Sequence, residues 1–322
     1  MAGGSTASRR SSASSSDGFT LTETLVALAV GAVVLGAAFG VGMGTRDTVF
    51  ADQSRGANEQ NLRSTLEYVG LELRDAGHLM SKPAASVEVI DGRTGSRDTD
   101  TLILRRSLVD APAKLCGNIT AGWERYVTLG VRGDPQDLPL DCVTTGDNDG
   151  SGYDDLIDLW RNYRLTNGVP RGGDARTLQI LIYEPSTGNS DTLTYFDEEK
   201  AAPTDRWVGI TTRAGARFQY YPRFNNPITV SVVEERRFFL QNGDLVMTLN
   251  GGPAQTVAAG VESFDAAALL TDGTVMNGFR MTSRNSGALE GVRITVRATA
   301  KLKGRSSTGV MSNTFTPRTP NE

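Results

Sequence analysis

The chain has little of what most enzymes use. In 322 residues there is one histidine, His78, and there are two cysteines, Cys116 and Cys142. One histidine excludes His-pair metal motifs, and any Ser-His-Asp arrangement would have to use His78. That residue stands at the end of a helical pattern, where a cap or packing role suits it better. No Cys-x-x-Cys occurs, so zinc-ribbon and thioredoxin-type chemistry lack their residues. Neither a Gly-x-x-x-x-Gly-Lys-Ser/Thr phosphate loop nor a dinucleotide fingerprint is present. Basic charge is not in excess: 33 Lys and Arg against 37 Asp and Glu leave a net charge of −4. A dedicated nucleic-acid binder shows the opposite balance, so direct contact with nucleic acid is not expected. Tryptophans are few, and core burial is the expected use of Trp123, Trp160 and Trp207 ahead of glycan or partner binding.

What the chain does have is a long charge-free stretch. Residues 25–43 are apolar or glycine, and about 20 such residues at ~1.5 Å each span ~30 Å, the thickness of a bilayer core. A polar, Ser-rich leader precedes it, with Arg9 and Arg10 as its only basic side chains. Between the two stands Gly18-Phe19-Thr20-Leu21-Thr22-Glu23. Glu23 is the odd residue, because a carboxylate at the centre of a membrane helix costs roughly 2.5–3.5 kcal/mol and asks for a partner. An ordinary secretory signal has a shorter apolar core and a small-residue cut site behind it. A plain signal anchor explains the length but neither Gly18 nor Glu23.

This stretch resembles the processing site of type IV prepilins and pseudopilins. The resemblance implies that a prepilin peptidase cuts between Gly18 and Phe19, and that Phe19 becomes the N-methylated mature N-terminus. Glu23 then lies one helical turn from the new ammonium (i, i+4). It is placed to neutralise that ammonium in its own chain or in a neighbouring subunit. The arginines of the leader favour a cytoplasmic N-terminus with the bulk of the chain outside.

The expected organisation is α+β and pilin-like: a long N-terminal helix, membrane-spanning then amphipathic, packed on an antiparallel β-rich domain. Its parts are the leader, 1–18; the membrane or fibre-core half of the helix, 19–44; the amphipathic half, 45–80; the β-domain, 81–311; and a loosely held tail, 312–322. Leu62, Leu66, Val69 and Leu73 make one helical face. Glu59–Arg63 and Arg63–Glu67 are i, i+4 pairs on the other, and Gly77 suits the C-terminal cap. Residues 61–77, with Leu71, Leu73-Arg74-Asp75 and Ala76-Gly77, resemble the helix end of PilW-type minor pilins and J-type minor pseudopilins. Strands are expected at 87–90, 101–105, 178–183 and 192–196. Asn242-Gly243 signals a hairpin between 237–241 and 245–249. The clearest strand is 292–302, with strict alternation. The hairpin, residues 260–264 and this last strand also resemble PilW-type C-terminal regions.

Residues 107–175 match no such pattern and read as an insertion. If exported, Cys116 and Cys142 are expected to close a loop of about 25 residues, worth on the order of 3 kcal/mol; two separate buried thiols are the alternative. Residues 147–158 fit a twelve-residue calcium loop, with Asp147, Asp149 and Ser151 at positions 1, 3 and 5. Gly152 takes the sharp turn, Tyr153 offers its carbonyl, Asp155 stands at position 9 and Asp158 at 12. Asp154 at position 8 and the short Asp158 depart from the pattern. Here a solvated Asp/Gly turn is the competing reading, and calcium would stabilise rather than catalyse. No cofactor is otherwise required.

The resemblance implies a minor pilin-like structural subunit, not an enzyme. Its partners would be other pilin or pseudopilin subunits, the prepilin peptidase and the inner membrane before assembly into a pilus at the cell surface. A J-type minor pseudopilin of a type II secretion system shares these features. A membrane-anchored extracellular binding protein or hydrolase is the reading from another class.

Overall fold

The computed structural model describes residues 19–80, 85–92, 99–122, 126–131, 142–144, 146–169, 178–198, 207–212, 215–282, 285–302 and 305–317. The chain divides into two compact units, Met1–Gln53 and Ser54–Glu322. Helix α1 (Leu21–Asp75) supplies the described part of the first and opens the second.

In the first unit nothing covers the apolar run: its large side chains from Leu21 to Met43 are 58–79 % exposed. This is the one helix among the described residues long and apolar enough to cross a membrane.

The second unit is built from its own core. Along α1 the buried positions are Ser54, Asn58, Leu62, Thr65, Leu66, Val69, Gly70 and Leu73, steps of three and four that keep one face inward. The expected stripe of Leu62, Leu66, Val69 and Leu73 is this face. Its polar extension at Ser54 and Asn58 was not expected. The helix stops at Asp75, and Gly77 takes a positive φ of 84° while its N–H bonds the carbonyl of Arg105 (2.9 Å). The exposed pairs Glu59–Arg63 and Arg63–Glu67 do not close into ion pairs among the described residues, in keeping with the few tenths of a kcal/mol such pairs are worth.

Among the described residues fifteen strands follow: β1 (Val87–Ile90), β2 (Thr101–Ser107), β3 (Ala113–Lys114), β4 (Tyr126–Val131), β5 (Gln179–Tyr183), β6 (Ser190–Glu198), β7 (Trp207–Thr212), β8 (Thr229–Gln241), β9 (Asp244–Leu249), β10 (Gln255–Ala258), β11 (Val261–Leu270), β12 (Val275–Met276), β13 (Phe279–Arg280), β14 (Leu289–Leu302) and β15 (Arg305–Phe315). Helix α2 (Asp155–Thr166) lies between β4 and β5. Eleven strands form one antiparallel sheet, with the order β13-β1-β2-β8-β5-β6-β7-β4 and with β3, β9 and β10 joined off β8 and β9. The other sheet is β12-β11-β14-β15. This α+β, pilin-like arrangement is the expected one.

Strand β8 is the spine of the larger sheet. Its first half pairs with β3 and β5, its second with β2 and β9. The β8–β9 turn places Asn242 at φ 54° and Gly243 at φ 84°, the two positive values that make Asn-Gly a hairpin signal. The smaller sheet is held against α1. The Nδ2 of buried Asn58 donates to the carbonyls of Ala298 and Ser307, each at 3.0 Å. A Cβ added at Gly70 would lie 2.2 Å from the Phe315 ring, so only glycine lets helix and strand meet there. Phe315 is itself buried. The segment from Ser312 is therefore no loose tail through Phe315. It completes β15, because Phe315 has a pocket over Gly70 to fill; residues 318–322 lie outside the described set.

Residues of the expected insertion contribute to a second core. Ile157 and Trp160 of α2 pack with Val127, Leu129, Ile180, Ile210 and Val230. Trp160 is fully buried and its Nε1 donates to the Ala111 carbonyl (3.0 Å). Trp123 and the side chain of Trp207 fall outside the described set. Arg164 of α2 makes a buried two-pronged pair with Glu198 (2.7 and 2.8 Å), and the Tyr195 hydroxyl adds a bond to the same carboxylate (2.9 Å). Burial and the Glu198 charge push the Tyr195 phenol far up. Cys116 and Cys142 form a disulfide, with Cα atoms 5.5 Å apart.

Between the cores runs a buried ion network. Arg105 donates to Glu235 (2.7 Å), Glu88 (3.1 Å) and the Ala85 carbonyl (2.8 Å). Arg280 also bonds Glu88 (3.0 Å), and Arg237 bonds Glu235 (2.6 Å). Burial alone would raise both carboxyls. The guanidinium of Arg105, helped by Arg280 on Glu88 and Arg237 on Glu235, outweighs burial and holds both below the usual carboxylate range.

Candidate functional site

The start of α1 is an N-terminal capping device. Thr20 precedes the first helical residue and Glu23 is the third. The Glu23 N–H donates to Thr20 Oγ1 (3.3 Å), and the Thr20 N–H returns a bond to Glu23 Oε2 (3.0 Å). The Thr20 hydroxyl adds a third, at 2.9 Å to the same oxygen. Two of the helix's orphan donors are thus satisfied reciprocally, and the carboxylate sits at the positive end of the helix dipole. The signal for this, Thr20-x-x-Glu23, stands in the sequence, beside the expected pairing of Glu23 with a Phe19 ammonium. Phe19 is 88 % exposed. Gly18 lies outside the described residues. The carboxylate is bonded to the amide next to Phe19, one residue from the amine that a cut after Gly18 would create.

Further along this unit, Gly36, Gly40 and Gly44 recur every four residues, and a Cβ at any of them would meet nothing within 4 Å. This strip lets another helix approach closely. The four-residue period was legible in the sequence and was missed.

The acidic loop is the second candidate. One carboxylate oxygen each from Asp147, Asp149 and Asp155 lies within 4.8 Å of the others. Asp147 accepts from the Gly152 N–H (2.9 Å), Asp149 from the Ser151 N–H (2.9 Å), and Ser151 Oγ from the Tyr153 N–H (3.2 Å). The Ser151 N–H and hydroxyl hold the Asp149 carboxyl below its usual range. Gly152 has a φ of 82°, the sharp turn expected there. Asp155 is held by the Asn148 side chain (2.6 Å). The carboxylate of Asp158 is turned to Arg161 (3.1 Å) and Asn162 (2.9 Å) and is not in the group of three. Asp154 caps α2, accepting from the Leu156 N–H (3.2 Å) and the Gly146 N–H (2.9 Å). Its departure from an apolar residue at that position is a cap requirement. Three carboxylates and a hydroxyl on one tight loop fit a hard cation that takes six to eight oxygens; Asp158 would join only by leaving Arg161.

His78 lies just past α1, where its carbonyl accepts the Ser107 N–H (2.9 Å).

An apolar N-terminal helix with a capped acidic start, followed by a disulfide-bonded β-domain, is a pilin-like arrangement. Residues 14–39 match the prokaryotic N-terminal methylation motif family. This match supports a type IV pilin-like protein, and it is confined to the N-terminal segment of the chain. Searches of curated proteins and of solved structures found no match to it.

Proposed function

We propose that the protein is a minor pilin-like structural subunit, cut at Gly18-Phe19 by a prepilin peptidase and assembled through α1 into a type IV pilus. The observation that carries this reading is the methylation motif over residues 14–39, continuous with a helix whose apolar side chains are uncovered. Before assembly the bilayer covers that surface, and afterwards the helices of neighbouring subunits do. Residues 61–77 resemble the helix ends of both PilW-type minor pilins and J-type pseudopilins; the size of the β-domain favours the minor pilin over the pseudopilin of a secretion system. Co-expression with a prepilin peptidase tests the proposal. Loss of residues 1–18 and a methylated Phe19 by mass spectrometry are expected; a chain that still begins at Met1, or is cut behind the apolar run, overturns it.

The loop of Asp147, Asp149, Ser151, Tyr153 and Asp155 is proposed as a calcium site of structural use, because it gathers three carboxylates around one turn. Calcium at about 100 times its Kd would stabilise the fold by ~2.7 kcal/mol. A melting temperature indifferent to calcium and to chelator rejects the site and leaves the pilin reading intact.

A further inference from the structure

The C-terminal sheet has a charge distribution that neither subunit assembly nor the acidic loop uses. Residues 291–321 contain Arg293, Arg297, Lys301, Lys303, Arg305 and Arg318 and no acidic residue, in a chain whose net charge is −4. Strand alternation sorts these side chains. Val292, Ile294, Val296 and Ala298 of β14 face the core, while Arg293, Arg297 and Lys301 are exposed on the other face. Each is four residues from the next, about 13 Å along a strand at ~3.3 Å per residue. None has an ion-pair partner among the described residues.

Hydroxyls fill the gaps between the cations. Thr295 bonds Ser312 across the strands (2.9 Å) and Thr299 bonds Thr308 (2.6 Å). Register places Val310 opposite Arg297 and Ser306 opposite Lys301. Beside this face a cleft of about 1000 Å³ opens toward the β8–β9 turn, lined by Thr99, Asn242, Ser263, Arg297, Thr299 and Lys301. Glu262, held by the Thr299 hydroxyl (2.6 Å), and Asp265 lie on β11. Glu262 itself lines the cleft and Asp265 stands opposite Thr295, while the cationic row runs lengthwise along β14.

We propose that this face and its cleft are a docking surface for an acidic polysaccharide, a linear chain of carboxylate-bearing sugars. A row of separated, unpaired cations suits a polymer with spaced charges better than a single anion, and basic clusters of this kind are the footprint of polyanion binding. Serine and threonine hydroxyls match sugar hydroxyls. The described part of the face offers no aromatic side chain, so it lacks the stacking platform that single-stranded nucleic acid uses. The proposal stands on the β-domain alone and does not depend on the pilin reading.

The test is binding of the full chain, in detergent, to immobilised polygalacturonate and to duplex DNA across a salt series. Wild-type protein is expected to bind the polyuronate more tightly than DNA and to release it as salt rises. Arg297→Gln with Lys301→Gln is expected to weaken binding about tenfold and to lower the slope of log affinity against log salt by about two. Arg293→Gln alone, at the far end of the row, lowers the slope by about one. Arg63→Gln with Arg223→Gln removes the same charge from exposed positions elsewhere and is expected to change little. Failure of the wild type to bind the polyuronate, tighter binding to DNA, or an equal loss in the Arg63/Arg223 variant overturns the proposal. These substitutions are on exposed side chains, and unchanged melting temperatures will show that a loss of binding is not a loss of fold.

Discussion

The two units of the chain treat apolar surface in opposite ways. From Leu21 to Met43 every large apolar side chain is more than half exposed; further along α1, Leu62, Leu66, Val69 and Leu73 are turned inward at 0–3 % exposure. Helix geometry is common to both, so the difference lies in what surrounds each part. The described apolar side chains of the first unit are left exposed, a surface suited to a bilayer or to other helices. The second carries two cores, an ion network and a disulfide of its own. On the function proposed above, the first supplies a surface that can exchange one apolar environment for another, and the second a domain that does not change while it happens.

This comparison breaks if the β-domain depends on something other than its own interior. The largest effect is expected at Arg105. Arg105→Ala leaves Glu88 and Glu235 buried without their shared cation, and removing one partner of a buried ion pair costs about 3–5 kcal/mol. Thermal melting of the purified protein should drop accordingly. Acid should act on the same groups. Both carboxyls are held below the usual range in the folded state, so their stabilisation is present above the unfolded value of about 4.3 and is lost as pH falls through the folded values. Melting temperature should be flat near neutrality and fall below about pH 5, less steeply in Arg105→Ala. A steep fall between pH 6 and about 8 would point to groups outside this network.

A smaller effect is expected where α1 meets β15. Gly70→Ala places a Cβ against the Phe315 ring, and overpacking of this kind costs about 1–3 kcal/mol. Combining it with Phe315→Leu should recover part of the loss, because the smaller side chain vacates the space. An additive double variant would mean that helix and strand do not meet as described.

How far the sequence led depends on whether a signal is local. Strand β1, the Asn242-Gly243 turn and the alternation of β14 are written in consecutive residues and were legible. The prepilin motif is likewise a short continuous pattern. Strand β8 was seen only in its last five residues, because its first half pairs with β3 and β5, and its burial on both sides hides the period of two. The insertion could not be read as a core, since Trp160 and Ile157 meet Ile180, Ile210 and Val230 only through tertiary contact. Asn58 extends the apolar stripe with a buried polar residue for a reason found 240 residues away, at the Ala298 carbonyl. The row of Arg293, Arg297 and Lys301 was visible as alternation, and its lack of counter-ions only in three dimensions.

The smallest expected effect separates two roles for Glu23, and it sharpens the comparison at the other end of the chain. As a capping residue Glu23 needs only an acceptor, which glutamine supplies; capping boxes accept Glu or Gln at this position. As the counter-charge of a Phe19 ammonium it needs a carboxylate, which glutamine lacks. Glu23→Ala removes both. The cap is worth about 1 kcal/mol of local helix stability, and neither variant should move the melting of the β-domain, which has its own core. Helix fraying at residues 20–24, followed by amide hydrogen exchange in detergent, should rise in Glu23→Ala and stay near wild type in Glu23→Gln. Incorporation into a fibre, measured as the fraction of processed protein recovered in sheared filaments, should fall in both variants if the ammonium is the partner that matters. If Glu23→Gln assembles like the wild type while Glu23→Ala does not, the carboxylate serves the helix end and not the new amine. The pairing of charges between subunits would then have no part in setting their register.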